Sequence, residues 1–324
     1  MLNNPIFFRR NFVAAGVLLI ALVPFFLSPY YIFVANLILI YIILAIGLNI
    51  ILGYAGQLSF SNGAIFGIGA YATGLLRLDY GCPYWLALPL GALIATVLGI
   101  LVALPALRLK GHYLALASIA FAQSTIWILV HWDGFTYGTS GFVLEPVEFS
   151  LIGLNSHAGM LYLSLAAAIA CVVMASNILQ SPVGRAFVSI RESEHAASAL
   201  AINITRYKIY AYGISSLYAG VAGGLFVGVV GAVVPDQFGL FQIVLQFCMV
   251  FVGGVGSLWG SVVGAALIIG CQELMRGFQQ YQELAFGVLL LVIILFFPSG
   301  IVGFLKLRVS GWQEPLRHYF KARG

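Results

Sequence analysis

Proton relays, ion-coupled sites and intramembrane hydrolysis all require ionisable side chains. In this 324-residue chain such groups are few: ten acids, fifteen basic residues and five histidines. With the long apolar stretches read as membrane spans, all ten acids fall in connections or at span ends. His112, His131, His157, His195 and His318 do likewise. No carboxylate or imidazole is therefore placed to bind and release a proton or cation at mid-membrane. Nucleotide hydrolysis fails on a simpler count. A phosphate-cradling loop needs Gly before its Lys at a helix start, whereas Lys110, Lys208, Lys306 and Lys321 follow Leu109, Tyr207, Leu305 and Phe320. Cys82, Cys171, Cys248 and Cys271 are too scattered to indicate a disulfide or a zinc site. The expectation is a chain with no catalytic residues, no metal and no bound cofactor.

Glycine and uncharged polar groups remain. Gly53-Tyr54-Ala55-Gly56-Gln57-Leu58-Ser59 recurs in outline as Gly253-Gly254-Val255-Gly256-Ser257-Leu258-Trp259, each copy lying between two apolar stretches and carrying no charge. Unwound backbone at membrane depth is tolerated only where protein or a water-filled path surrounds it. Near these turns stand Gln57, Ser59, Ser61, Asn62, Ser257 and Ser261, with Gln123 and Gln246 in neighbouring stretches. The candidate substrate pathway is thus Gly53, Gly56, Gln57, Ser59, Asn62, Gln123, Gln246, Gly253, Gly256 and Ser257. Hydrogen bonds between helices would account for the same polar residues. At four-residue spacing, Gly63 with Gly67, Gly220 with Gly224 and Gly228, and Gly260 with Gly264 put flat stripes on single helix faces.

A third feature is the polar run from Ser181 to Ala201. Ser181-Pro182 and Ser193 make good helix starts. Short helices here would carry Phe187, Ile190, Ala197 and Leu200 as apolar contacts and Arg185, Arg191, Glu192 and Glu194 as charged ones. Such helices suit a groove on a protein partner better than an anionic lipid surface, because their charge is mixed.

The elements that must position these residues follow from composition. With 62% apolar and 8% charged residues and a mean hydropathy of +1.04, the chain reads as an all-α protein crossing a bilayer. Apolar stretches predict about ten spans, near 12–29, 31–52, 58–76, 84–107, 111–132, 158–179, 209–232, 238–253, 257–272 and 284–304. The short eighth and ninth also fit a re-entrant pair, leaving eight full crossings. No folded extramembrane domain is left room. Arg9-Arg10-Asn11-Phe12 faintly resembles a twin-arginine leader, but no small-x-small site follows, so an uncleaved first span is expected. Placing the N-terminus inside gathers Arg9, Arg10, Arg108, Lys110, Arg185, Arg191, Arg206, Lys208, Lys306, Arg308, Arg317, Lys321 and Arg323 on one side. The other side keeps Arg77 and Arg276. Both termini are then cytoplasmic, and the net charge of +5 is an orientation signal with no nucleic-acid footprint.

Taken together, these motifs resemble the permease subunits of branched-chain amino acid ABC importers of the LivM type. The resemblance runs over most of the chain. It is carried by the Gly53–Ser59 run with Phe66-Gly67-Ile68-Gly69-Ala70-Tyr71, by Gly111-His112-Tyr113-Leu114-Ala115-Leu116-Ala117 with Phe121-Ala122-Gln123, and by Phe251-Val252-Gly253-Gly254-Val255-Gly256-Ser257. Gly184-Arg185-Ala186-Phe187, Ile202-Asn203-Ile204-Thr205-Arg206-Tyr207-Lys208 and Pro298-Ser299-Gly300 complete it. It implies one permease domain over 1–324, residues 181–208 forming a cytoplasmic coupling loop, in a bacterial inner membrane. It also implies a second related permease subunit, two cytoplasmic ATPases that use ATP and Mg, and a periplasmic substrate-binding protein. Arg185, Arg191, Glu192, Glu194, Ala196 and Ala197 would contact an ATPase, and substrate would cross by alternating access. Departures are Ser61-Asn62 where the family commonly has Gly with His or Gln, Ala201 where Gly usually precedes Ile-Asn, and Ser299 where a basic residue often follows Pro. The first bears on cargo, since similar permeases serve branched-chain amino acids, urea, short amides and other small solutes. A passive channel would share the glycines and the missing charges but would have no evident need of a coupling loop.

Overall fold

A computed structural model describes residues 28–106, 112–149, 155–296 and 300–301. Helix α1 (Pro29–Asn49) opens with Pro in its first turn, where the missing N–H costs nothing. It runs into one wide π-helical turn, Ile50–Tyr54. Because α1 is apolar all round, it has no wet face and takes the centre of the bundle, with Ile40, Ile43, Leu44 and Leu48 fully buried. A non-helical segment, residues 55–61, leads to α2 (Asn62–Leu78), then α3 (Tyr84–Ala106) and α4 (His112–His131). After a one-turn helix α5 (Asp133–Thr136) and strand β1 (Phe142–Val143) come α6 (Ser156–Gln180), α7 (Pro182–Glu192), α8 (Glu194–Ala199) and α9 (Ile204–Val230). Strand β2 (Ala232–Val233) follows, then α10 (Leu240–Gly253), α11 (Leu258–Leu274) and α12 (Gln279–Phe296).

The glycine stripes set how closely these helices approach. In α9, a Cβ at Gly220 would stand 2.8 Å from Ala95 Cβ, one at Gly224 3.2 Å from Leu88 Cγ, and one at Gly228 2.5 Å from the Tyr84 hydroxyl, so one stripe lies flat along α3. Gly69 of α2 meets Gly220 backbone to backbone on another side of α9. In α2, Gly63 and Gly67 face Ile243 and Phe238. Gly260 and Gly264 of α11 lie against Gly253 and Met249 of α10; these contacts step symmetrically away from the intervening turn, so α10 and α11 form an antiparallel hairpin.

Among the described residues, six helical segments are long and apolar enough to cross a membrane: Pro29–Tyr54, Tyr84–Leu104, Tyr113–His131, Ser156–Gln180, Ile204–Val230 and Pro235–Gly253. The expected count of about ten is not reached among the described residues, for physical reasons that differ by segment. The predicted span at 58–76 begins late because residues 55–61 are not helical, leaving the 17-residue α2. The span at 257–272 is the 17-residue α11, about 26 Å long against a hydrocarbon core of about 30 Å. Helix α12 is apolar but shorter again in its apolar part, Tyr281–Ile293. The first predicted span, its Arg9-Arg10 pair and most of the C-terminal tail lie outside the described residues.

Candidate functional site

The two uncharged glycine turns, 200 residues apart in sequence, touch. Gly53, near the end of the π turn, packs against Gly256 so closely that a Cβ on Gly53 would overlap the Gly256 nitrogen. Asn49, one turn earlier in α1, clamps the pair. Its Nδ2 donates to the Ser257 carbonyl at 2.9 Å and to Ser261 Oγ at 2.7 Å, while its Oδ1 accepts from the Gly256 N–H at 2.8 Å. Both donors and the acceptor of one buried amide are thus satisfied by the α10–α11 turn. Gly256 adopts φ +75°, a conformation that glycine reaches without strain. Ser257 caps α11 by accepting from the Gly260 N–H at 3.1 Å. Gly300, from the terminal Pro-Ser-Gly run, lies against Gly254 from outside, a Cβ there reaching within 2.6 Å of the Gly254 nitrogen.

Beside this joint lies an uncharged polar cluster. Asn62 Nδ2 donates to Gln246 Oε1 at 3.1 Å, and Ser215 Oγ donates to Asn62 Oδ1 at 3.1 Å, joining α2, α10 and α9. Ser59 Oγ and Ser61 Oγ are 2.9 Å apart, and the Phe60 N–H donates to Ser118 Oγ of α4 at 2.9 Å. Gln57 is 4% exposed, yet neither of its amide atoms finds a partner among the described residues, nor does Gln246 Nε2. Buried amide groups left unpaired are costly, so this cluster holds spare hydrogen-bonding capacity inside the bundle. Ser61 and Ser118, with Thr125 and Thr136, border a cavity of about 880 Å³ between α2, α3 and α4, whose walls are otherwise mostly apolar, among them Leu75, Leu98, Phe121 and Trp132.

Helices α7 and α8 form as the sequence predicts. Ser181 Oγ accepts from the Val183 N–H at 3.1 Å and Ser193 Oγ from the Ala196 N–H at 3.2 Å. Their apolar face, however, turns inward. Phe187, Ile190 and Ala197, expected to meet a partner, are buried at 4% exposure or less because α7 packs on α6 and α9; only Leu200, 72% exposed, projects. Of the six expected ATPase contacts, Arg185, Arg191, Glu192 and Ala196 present exposed surface. Ala197 does not, and Glu194 turns back to Lys208 of α9 at 2.6 Å. Arg191 is exposed as well, but its Nη1 donates to the Gly53 carbonyl, and its aliphatic stem covers Gly56, where a Cβ would stand 2.9 Å from Arg191 Cγ.

At the far end of α2 the connections are tied down. Strands β1 and β2 pair antiparallel, Phe142 opposite Val233. Arg77 Nη2 donates to the Glu145 carbonyl at 3.1 Å, and the Tyr137 hydroxyl donates to Asp79 at 2.6 Å. Bonding to that carboxylate stabilises the neutral phenol and raises the Tyr137 pKa above its ordinary value.

The structure therefore gathers Gly53, Gly56, Gly253, Gly256 and Ser257 at one joint, and sets Asn62 and Gln246 in the adjoining cluster with Ser59 and Gln57 in the segment between. Gln123 stays apart, exposed on α4. Sequence reading missed Asn49, Ser215 and Lys208. The available signal for Asn49 was an amide inside an otherwise apolar helix, one turn before Gly53.

Residues 30–298 match the family described as the branched-chain amino acid transport system / permease component. The LivM permease of the high-affinity branched-chain amino acid transport system is 32% identical in Escherichia coli K12 and 31% in Salmonella typhimurium LT2, each over 91% of this chain and 75% of the relative. The LivH permease of E. coli K12 is 26% identical, over 81% of this chain and 91% of the relative. No solved structure matches. With a family match spanning both glycine turns, the polar cluster and α7–α8, the chain belongs to the permease components of branched-chain amino acid transport systems and is a multi-pass membrane permease of the LivM type.

Proposed function

We propose that this chain is one permease subunit of an ATP-driven importer that moves branched-chain or related small amino acids across a bacterial inner membrane. Both termini and α7–α8 face the cytoplasm in this reading. Its partners are a second, LivH-like permease, two ATPases and a periplasmic binding protein. ATP and Mg belong to the ATPases, and this chain performs no covalent chemistry.

The observation that carries the reading is the contact between α7–α8 and the glycine joint. A solvent-facing helix pair presents Arg185, Glu192, Ala196 and Leu200 outward while Arg191 reaches the joint, which gives an external motor a mechanical path to the polar cluster. Alternating access then means that motor closure shifts the population between two packings that differ in affinity for substrate. Cargo would be held by amides, hydroxyls and backbone dipoles around Asn62, Gln246 and Gln57. A second reading, with urea, a short amide or another small polar solute as cargo, is favoured by the neutrality of that cluster, which offers no cation to a carboxylate.

The test is uptake into proteoliposomes holding both permeases and the ATPases, with the binding protein outside. ATP-dependent accumulation of labelled leucine, competed by valine and isoleucine and not by urea, is the expected result. Uptake without ATP that stops at equilibration would replace the importer with a passive channel, and competition by urea or acetamide would select the second cargo.

A further inference from the structure

Arg191 stands on the helix pair assigned to a motor, yet its guanidinium points into its own chain. Nη1 donates to the carbonyl of Gly53, near the end of the wide turn that closes α1. Carbonyls at a helix C-terminus lack intrahelical partners and carry partial negative charge, so a guanidinium there makes a charge-assisted bond. The same nitrogen lies where a Cβ on Gly256 would come within 2.9 Å. One cation from α7 therefore sits on both glycine turns at once. Between those turns there is no side-chain padding: a Cβ on Gly53 would strike Gly256 and Asn49, and one on Gly56 would stand 3.2 Å from the Arg191 Cα. Asn49 holds the turns together through three hydrogen bonds. Close-packed backbone of this kind moves as a unit or repacks, and does not stretch.

We propose that Arg191 is a positioning residue, a pin that carries displacement of α7–α8 to α1 and to the α10–α11 turn together. This rests on the importer reading and changes the role of Arg191 within it, from contact with the ATPase to transmission inside the permease. Loss of the pin leaves motor binding and hydrolysis in place and separates hydrolysis from transport.

In the same reconstituted importer, Arg191→Gln is expected to co-purify with the ATPases and hydrolyse ATP within about twofold of the parent, while uptake per ATP falls at least tenfold. Arg191→Lys, which keeps a cationic donor, is expected to recover to within about threefold. Glu192→Arg on the exposed face is the comparator and weakens ATPase retention instead. Loss of the ATPases from Arg191→Gln would overturn the proposal, because the residue would then be a motor contact, and so would an unchanged ratio of uptake to hydrolysis. Should the Gln variant fail to assemble, Arg191→Lys decides alone: a ratio lowered two- to threefold supports the pin, and an unchanged ratio refutes it. Failure of the importer reading itself is seen earlier and separately, as ATP-independent uptake by the parent complex.

Discussion

Two glycines in this fold should respond in opposite directions to the same methyl group. At Gly69 a Cβ would stand 2.7 Å from Gly220 Cα and 2.8 Å from the Gly220 carbonyl oxygen, whereas at Gly270 nothing lies within 4 Å. Carbon atoms pack at about 3.5–4.0 Å, so Gly69→Ala must open the α2–α9 contact by roughly 1 Å. Backbone is the obstacle, and no rotamer change on α9 relieves it. Overpacking of this kind costs about 1–3 kcal/mol. For a chain of this size 1 kcal/mol moves the melting temperature by about 2 °C, so Gly69→Ala is expected to melt about 2–6 °C below the parent. Gly270→Ala removes glycine's excess chain entropy inside α11 without a clash, a gain of about 0.5–1 kcal/mol and a rise of about 1–2 °C. Thermal unfolding of the purified permease in one detergent, followed by thiol-reactive or intrinsic fluorescence, reads both. Equal shifts for the two variants, or a neutral Gly69→Ala, would refute close backbone approach as the role of this glycine.

Glu194→Gln is expected to destabilise by about 1–2 kcal/mol, because Lys208, whose side chain is 9% exposed, loses its partner; the figure is discounted for the 38% exposure of Glu194. Adding Lys208→Met should recover part of that loss, and strictly additive melting shifts would show that the 2.6 Å pair is not coupled. Gln246→Leu removes the acceptor of the Asn62 amide and is expected to raise the half-saturating substrate concentration about tenfold, the equivalent of about 1.4 kcal/mol, with hydrolysis unchanged. Gln123→Leu, on the exposed face of α4, should leave uptake at the parent level.

Helical class, glycine stripes and the two capped helices after Ser181 were legible in sequence because each rests on local rules: apolar runs, four-residue spacing, and a hydroxyl before a helix. The glycine turns were legible as turns, though nothing local told that they touch. Their clamp is a lone asparagine whose partners lie more than 200 residues away, and spacing carries no such information. The inward face of α7–α8 was misread for a related reason. Phe187, Ile190 and Ala197 form the same amphipathic pattern whether the groove they fill belongs to a partner or to the chain itself. Gln123 shows the complementary failure, since a polar residue on an apolar helix does not reveal which side of that helix faces inward. The stretch read as a span at 58–76 becomes helical only at Asn62, because hydropathy sums are blind to the non-helical backbone of residues 55–61.

The position of the polar cluster relative to the joint has a mechanical consequence. Gln246 lies seven residues before Gly253 on α10, about 10 Å along a rigid helix, so displacement at the Gly253–Gly256 turn is delivered to its amide nearly undiminished. Asn62 opens α2, and Ser215 belongs to α9, which α3 holds along its glycine stripe. Both hydrogen bonds of Asn62 are 3.1 Å long, so a relative shift of about 1 Å between α10 and α9 breaks one of them. Breaking it leaves a buried amide group of Asn62 unpaired, in a cluster where Gln246 Nε2 already lacks a partner among the described residues. A small polar solute that satisfies those groups then binds one packing better than the other. That difference in affinity is the only means by which a ligand can bias a conformational equilibrium. A polar cluster without a charged side chain can meet this requirement with amides alone, provided that the motion reaches them through backbone that does not yield.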